Sequence, residues 1–275
     1  MSVSQQELIT KLYQLPSLPG VVQDVIASFG DPALDIPSLV YKISLDQGLS
    51  AKLLRVANSS FYGLPRKIGS VQDAVVVLGF DVVRSMVLSA GIAKTLPSTP
   101  GSLFDRHAYW RKSFRVAVFS KAMARMLRDE PQLAFTAGMF HDIGLLVLDL
   151  CLPQQFAELL QVQAATGEDL IGVARRELGF DHASTGAEII RSWNFPVEIE
   201  RVAADCLRLE KVPIDPMAGI VHLSILLERG LTGADLMESL PQRLKDTLNI
   251  SWERIEECLP TRVQLEVASA LVADQ

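Results

Sequence analysis

Apolar residues along this chain recur at intervals of three and four positions, the spacing that places side chains on one face of an α-helix. Leu8, Leu12 and Leu15 show this spacing directly after Ser4-Gln5-Gln6-Glu7, which has the spacing of a helix-initiating capping box. A first helix is therefore predicted to begin near Ser4.

The same periodicity predicts helices over most of the remaining chain. Val75 to Leu78 is rich in β-branched residues, which by themselves favour a strand, but the neighbouring pattern favours a helix. No segment alternates with period two, and no glycine-rich nucleotide motif or constant repeat is present. The other predicted helices are approximately Ile36–Leu45, Gly48–Ala57, Trp110–Leu127, Leu133–Leu150, Pro153–Ala165, His182–Asn194, Pro196–Leu209, Asp215–Arg229 and Val263–Val272.

The segment Pro97-Ser98-Thr99-Pro100-Gly101-Ser102 has the composition of a turn or linker. Together with the helical pattern, this segment predicts an all-α chain in two lobes, residues 1–97 and 103–275. The apolar stretch from Ser70 to Ile92 exceeds what a small lobe can bury alone. We therefore expect the lobes to form one rigid unit, and fragments 1–98 and 103–275 to aggregate when separated.

Composition narrows the classes of function. Of the 275 residues, 49% are hydrophobic, which is too many for a disordered chain, and the net charge of −6 offers no basic field for nucleic acid or an anionic membrane. The amino terminus lacks the features of a secretion signal, and no segment has about 18 uninterrupted apolar residues. These features predict a cytoplasmic protein that binds neither nucleic acid nor membrane.

The stretch Met139-Phe140-His141-Asp142-Ile143-Gly144-Leu145 places a histidine and an aspartate inside an apolar run. A hydrolytic metal site needs several histidine and carboxylate ligands and an open position for water. The chain has only four histidines to complete such a site, His107, His141, His182 and His222. From spacing alone, the pair could equally be hydrogen-bonded inside a helical bundle.

Three longer motifs carry a family resemblance. They are "LLRVANSSFYG" followed by "SVQDAVVVLG", then "AGMFHDIGLLVL", and finally "LGFDHASTGAEIIRSWNFP". Over roughly residues 10–230 the chain resembles the HDOD (HD-related output domain) family. The resemblance implies a two-lobed helical fold whose carboxyl lobe is an HD-like bundle, and a signalling role. It also implies kinship with the HD and HD-GYP phosphohydrolases, generally without a complete metal site.

Comparison with the catalytic relatives implies a degenerate metal site. Lys112 appears where their first histidine ligand stands, whereas His141, Asp142 and His182 match ligand positions. Asp205 falls near a later pair of histidine ligands and could bind metal only by substitution. Two further departures are Leu145, where HD-GYP enzymes have lysine, and Ser224-Ile225, where the relatives have a closing aspartate.

We expect the Lys112 ammonium to contact Asp142 in place of a metal, with His141 hydrogen-bonded beside it. The alternative is that Lys112 extends along its aliphatic stem into solvent. No metal or other cofactor is expected, and His141, Asp142 and His182 are regarded as vestigial ligands.

The resemblance favours a noncatalytic bacterial signal-transduction module that acts through protein or small-ligand contacts. The alternative is a residual metal-dependent phosphohydrolase acting on nucleotides or cyclic dinucleotides, with His141, Asp142, His182 and Asp205 as ligands. The family pattern begins within about 15 residues of Met1, so we expect the input signal to come from a signalling protein on a separate chain.

Overall fold

The computed structural model describes residues 5–29, 36–58, 64, 66–210, 212–261 and 265. The predicted helix Val263–Val272, apart from Leu265, and the Ser59–Gly63 part of the first motif lie outside these described residues. Within them the secondary structure is helical without strands, so the all-α prediction is confirmed. The helices are α1 Gln5–Tyr13, α2 Gly20–Ala27, α3 Ile36–Ser44, α4 Gln47–Ala57, α5 Val71–Leu78, α6 Phe80–Thr95, α7 Arg106–Leu127, α8 Pro131–Phe140, α9 Ile143–Cys151, α10 Pro153–Thr166, α11 Leu170–Leu178, α12 His182–Ser192, α13 Val197–Asp205, α14 Pro216–Glu228, α15 Gly233–Ser239, α16 Gln242–Leu248 and α17 Trp252–Glu257.

The described residues form two compact units. The amino-terminal unit comprises those of Pro16–Thr95, and the carboxyl-terminal unit comprises those of Met1–Leu15 and Leu96–Ala273. This division differs from the predicted lobes because α1 belongs to the carboxyl-terminal unit. The physical reason is that Leu8 and Leu12 are buried where α1 packs against α9 and α12, and Lys11 Nζ donates to the carbonyl oxygen of Cys151 at 2.8 Å.

In the amino-terminal unit, local signals start and stop the helices. Asp46 caps α4 by accepting from the Leu49 amide, and Ser70 caps α5 by accepting from the Asp73 amide. Asn58 ends α4, and its side-chain amide makes two hydrogen bonds to the backbone of Ile68, at 2.8 and 2.9 Å. The β-branched residues of α5 are helical, as the neighbouring pattern predicted.

The carboxyl-terminal unit is built around α7, which packs against α8 and α14, while α12 packs against α9 and α13. Asp105 caps the start of α7, and Arg128 ends it in the left-handed conformation, with φ of 59°. The face of α7 that enters the core carries large apolar side chains, among them Trp110, Phe114 and Met123, each 1% exposed or less. A long helix with one buried face can thus hold polar side chains deep in the bundle.

The predicted single helix Leu133–Leu150 is divided in the structure by a turn at His141 and Asp142. Asp142 has φ of −112° and ψ of 18°, outside the helical region. The break lets Gly144 approach α12 closely: a β-carbon on Gly144 would overlap the carbonyl oxygen of His182 and lie 2.8 Å from the Gly186 nitrogen. Long-range packing of α9 on α12 therefore overrides the continuous helical pattern of the sequence.

The stretch Pro131–Cys151 is long and apolar enough to cross a membrane by length and composition, with a mean hydropathy of 1.5. Its apolar window is 89% buried inside the structure, as in the core helix of a soluble protein. The bent pair Val71–Leu78 and Val82–Thr95 meets the same criterion only if taken as one span. Location in the cytoplasm stays a prediction.

Candidate functional site

Four sequence-predicted residues meet inside the carboxyl-terminal unit. Lys112 comes from α7, His141 and Asp142 from the turn between α8 and α9, and His182 from the first position of α12. The Lys112 ammonium lies 2.9 Å from Asp142 Oδ2, so the predicted contact is present. The Asp142 side chain is 4% exposed and that of Lys112 is 33% exposed, so the carboxylate is buried and the lysine reaches it from the surface.

His141 is oriented by its own backbone turn. Its Nδ1 lies 2.7 Å from the carbonyl oxygen of Gly138, and because a carbonyl can only accept, Nδ1 carries a proton and donates it. The other ring nitrogen, Nε2, lies 3.4 Å from Asp142 Oδ2 and makes no hydrogen bond to any of the described residues. In the neutral ring this nitrogen is a second acceptor beside the carboxylate, an arrangement that favours a nearby cation.

His182 is positioned by the start of α12. Asp181 and Ser184 form a reciprocal capping box there, and Arg175 Nε donates to Asp181 Oδ2 at 2.6 Å. His182 Nε2 then lies 3.5 Å from Asp142 Oδ1, too far for a strong hydrogen bond. The two imidazoles therefore approach opposite oxygens of one carboxylate.

Charge and burial set the protonation of this site. Burial by itself would raise the pKa of Asp142, but the charge of Lys112 holds that pKa well below its usual range. The Asp142 carboxylate in turn raises the pKa of Lys112 against the effect of burial. Both partners of the ion pair are thus charged at neutral pH.

A metal site needs several ligand side chains directed at one point and free to bind the ion. Within the described part of the chain, no group of three or more His, Cys, Asp or Glu side chains is arranged to hold a metal ion. The Lys112 ammonium also takes a coordination position on Asp142 Oδ2, the carboxylate oxygen nearer to His141. The present donor set therefore does not fit a metal ion.

The remaining candidates from the sequence lie elsewhere. Asp205 lines a surface cavity of about 370 Å³ together with Arg201 and the loop before α14. Ser224 is buried and donates to the carbonyl oxygen of Ile220 within its own helix. His107 is exposed, and His222 Nδ1 donates to the carbonyl oxygen of Cys206 at 2.6 Å. The structure thus brings together Lys112, His141, Asp142 and His182, without grouping Asp205 with them as metal ligands.

Two polar residues of α7 were missed by the sequence interpretation. Tyr109 precedes Lys112 by three residues and Ser113 follows it directly, and both are buried with hydroxyl oxygens that lack a hydrogen bond of good geometry among the described residues. Burial raises the pKa of the Tyr109 hydroxyl, and the charge of Asp142 adds to this effect. The available signal was that Tyr109 and Ser113 are four residues apart, which places them on one face of α7, within an apolar surrounding.

The fold of this chain is similar to that of other solved structures. A solved structure from Marinobacter aquaeolei VT8, provisionally named a signal transduction protein, is 25% identical and superposes with a TM-score of 0.81, covering 99% of this chain and 62% of that one. A structure from Shewanella amazonensis SB2B, provisionally named a phosphohydrolase, is 24% identical with a TM-score of 0.77 and covers 99% and 100% of the two chains, respectively. This second likeness shows the fold alone.

An uncharacterized protein of Treponema pallidum (strain Nichols) is 23% identical over 250 residues, or 89% of this chain. The chain spans about half, 48%, of the length of that relative. The family model described as "HDOD domain" matches residues 15–206, which is more than half of the chain. The resemblance inferred from the motifs is thereby confirmed, and the chain belongs to the HDOD family.

Proposed function

We propose that this chain is a noncatalytic signal-transduction module in which Lys112 replaces the metal of a degenerate hydrolase centre. The module would act through contacts with signalling proteins on a separate chain, or through a small ligand, in a bacterial cytoplasm. The signalling name of the Marinobacter aquaeolei protein, the similar structure at 25% identity, supports this proposal.

The observation that carries the proposal is the 2.9 Å ion pair between Lys112 and Asp142. A hydrolytic metal centre activates water at an open coordination position, and this requires the metal to hold its protein ligands. An ammonium can balance the charge of Asp142, but it has no coordination position at which to activate water. The pair would therefore preserve the packing of the centre while removing its chemistry.

One observation favours the alternative, a residual metal-dependent phosphohydrolase. His141 Nε2, Asp142 Oδ1 and His182 Nδ1 are buried and lack hydrogen-bond partners within the part of the chain that the structure describes. Buried polar atoms without partners are uncommon and can mark sites of function. A swing of Lys112 toward solvent would free Asp142 Oδ2, which lies 3.4 Å from His141 Nε2.

Metal analysis and hydrolysis assays separate the two functions. The full chain would be purified from metal-supplemented medium, analysed for transition metals, and assayed with nucleotides and cyclic dinucleotides beside an active HD-GYP enzyme. We expect no stoichiometric metal and no turnover above that of an Asp142→Asn control. About one metal per chain that is lost in Asp142→Asn, with turnover lost in parallel, would establish the hydrolase instead.

A further inference from the structure

The segment 96–104, called the connector below, follows the last residue of the amino-terminal unit. Its two prolines and its glycine are typical of a flexible linker, and the sequence predicts a lobe boundary within it. In the structure, however, its polar groups bond to α7 and α9 of the carboxyl-terminal unit. The connector is therefore held in place on the carboxyl-terminal unit, and the contacts that hold it can be identified.

A buried ion pair lies at the centre of these bonds. Arg106, the first residue of α7, places its Nη1 3.3 Å from Oδ2 of Asp149 in α9. The Arg106 side chain is 11% exposed and that of Asp149 is 1% exposed. Two opposite charges are thus held between two core helices, apart from the Lys112 centre.

Both members of this pair also hold the connector. Arg106 donates from Nη1 to the carbonyl oxygen of Pro97 at 2.8 Å, and from Nη2 to that of Leu96. The carboxylate of Asp149 accepts from Ser102 Oγ, and the backbone carbonyl of Asp149 accepts from Thr99 Oγ1 at 2.9 Å. The pair therefore contacts the connector near its start, its middle and its end.

The far end of the connector is fixed by three additional contacts. The Phe104 amide donates to Ser102 Oγ at 3.0 Å, and the Phe104 ring packs 5.4 Å from that of Phe156 in α10 and 5.8 Å from that of Tyr109. Ser102 thus accepts from the backbone while it donates to Asp149. One hydroxyl joins the ion pair to the end of the connector.

We propose that the Arg106–Asp149 pair is a clamp that fixes the connector on the carboxyl-terminal unit, and that opening this clamp releases the connector as a flexible linker. A buried ion pair offsets its desolvation only when its other hydrogen-bonding groups are also satisfied, and the connector supplies those partners. Pair and connector stabilise each other, so they open together. A closed clamp makes the connector move with the carboxyl-terminal unit.

Hydrogen exchange of the full chain tests the clamp. The Ser102 amide donates to the carbonyl oxygen of Thr99 and the Phe104 amide to Ser102 Oγ, so both should exchange slowly. Ser102→Ala removes the hydroxyl but leaves both charges in place, and Ser98→Ala is the matched control at an exposed position of the same segment. We expect Ser102→Ala to accelerate exchange in the connector by about tenfold or more, with α7 and α9 unchanged.

Cleavage by chymotrypsin provides a second measurement, because Leu103 is 62% exposed. Cleavage after Leu103 or Phe104 should be slow in the natural chain and in Ser98→Ala, and faster in Ser102→Ala and in Asp149→Asn. If Asp149→Asn does not fold, Ser102→Ala carries the test alone. Unprotected exchange of the connector in the natural chain, or equal exchange in the two serine variants, would overturn the proposal.

Discussion

Asp142 is a buried carboxylate whose charge is balanced by a lysine that reaches it from the surface of the bundle. Removing a charge from water is costly, and a single partner at 2.9 Å offsets that cost only while it stays in place. Each partner therefore depends on the other, and the neighbouring histidines are too distant to replace the ammonium. Substitutions at this pair should reveal how much of the fold depends on it.

Lys112→Met should lower the free energy of unfolding by about 2 to 4 kcal/mol, because it leaves the Asp142 carboxylate buried without its cation. This is somewhat below the cost of breaking a fully buried pair, since Lys112 is one third exposed. Urea denaturation measures the change. Arg111→Met, at an exposed position beside it on α7, is the matched control and should change stability by less than about 0.5 kcal/mol. An equal effect of both substitutions would contradict a structural role for the pair.

The depressed pKa of Asp142 predicts a specific acid sensitivity. Because this pKa is lower in the folded than in the unfolded chain, the carboxylate stabilises the fold above its unfolded pKa, and the contribution is lost as pH falls through the folded value. Below about pH 4, Asp142→Asn should therefore lose stability less steeply than the natural chain. Urea midpoints from about pH 7 to about pH 2 measure both slopes. Parallel slopes would show that Asp142 does not contribute to acid unfolding.

At the scale of elements, the site exists because α8 and α9 are separate helices. The turn between them points His141 and Asp142 toward α7, and the close approach of α9 to α12 brings His182 to the same carboxylate. Gly144 permits this approach, since it has no β-carbon to meet the backbone of α12. The site can therefore form only if α9 packs closely on α12.

Gly144→Ala should destabilise the chain by about 3 kcal/mol or more, because the new methyl group would overlap the carbonyl oxygen of His182 and backbone cannot yield as a side chain can. Thermal unfolding measures the loss. Gly20→Ala is the matched control, since nothing lies within 4 Å of a β-carbon there, and it should have little effect or raise stability slightly. A fully stable Gly144→Ala chain would show that α9 and α12 are farther apart in solution.

At the scale of the whole molecule, the carboxyl-terminal unit is built from two separate stretches of the chain. Helix α1 precedes the amino-terminal unit in sequence but packs within the carboxyl-terminal unit. The expectation that the two lobes are rigidly joined stays a prediction. Fragments 1–98 and 103–275 would also divide the carboxyl-terminal unit, so a better fragment test would keep α1 with that unit.

Leu12→Ala should lower the stability of the carboxyl-terminal unit by about 2 to 4 kcal/mol, because Leu12 is 4% exposed. Hydrogen exchange should increase in α9 and α12, against which α1 packs, more than in α2 to α6. Tyr13→Ala, at a neighbouring residue that is 68% exposed, is the control and should have a small effect. Faster exchange confined to the amino-terminal unit would show that α1 does not belong to the carboxyl-terminal unit.

The sequence by itself determined the helical class, most helix positions and the family, and it predicted the Lys112–Asp142 contact as one of two alternatives for Lys112. Helices could be predicted because their apolar spacing and caps, such as Asp46 and Ser70, depend on residues a few positions apart. The contact could be predicted because comparison with the catalytic relatives of the family places Lys112 at a ligand position. These predictions depend on residues close together in the chain or on motifs that identify the family.

Only the tertiary structure decided where the helix Leu133–Leu150 breaks, which unit receives α1, and that Arg106 and Asp149 hold the connector. These features depend on contacts between residues far apart in the chain. Helical periodicity continues through His141 and Asp142, and the connector has linker composition, so local patterns predicted an unbroken helix and a lobe boundary. Burial of α9 against α12, and of one ion pair between α7 and α9, outweighs those local preferences, because close packing and charge pairing act only once the helices meet.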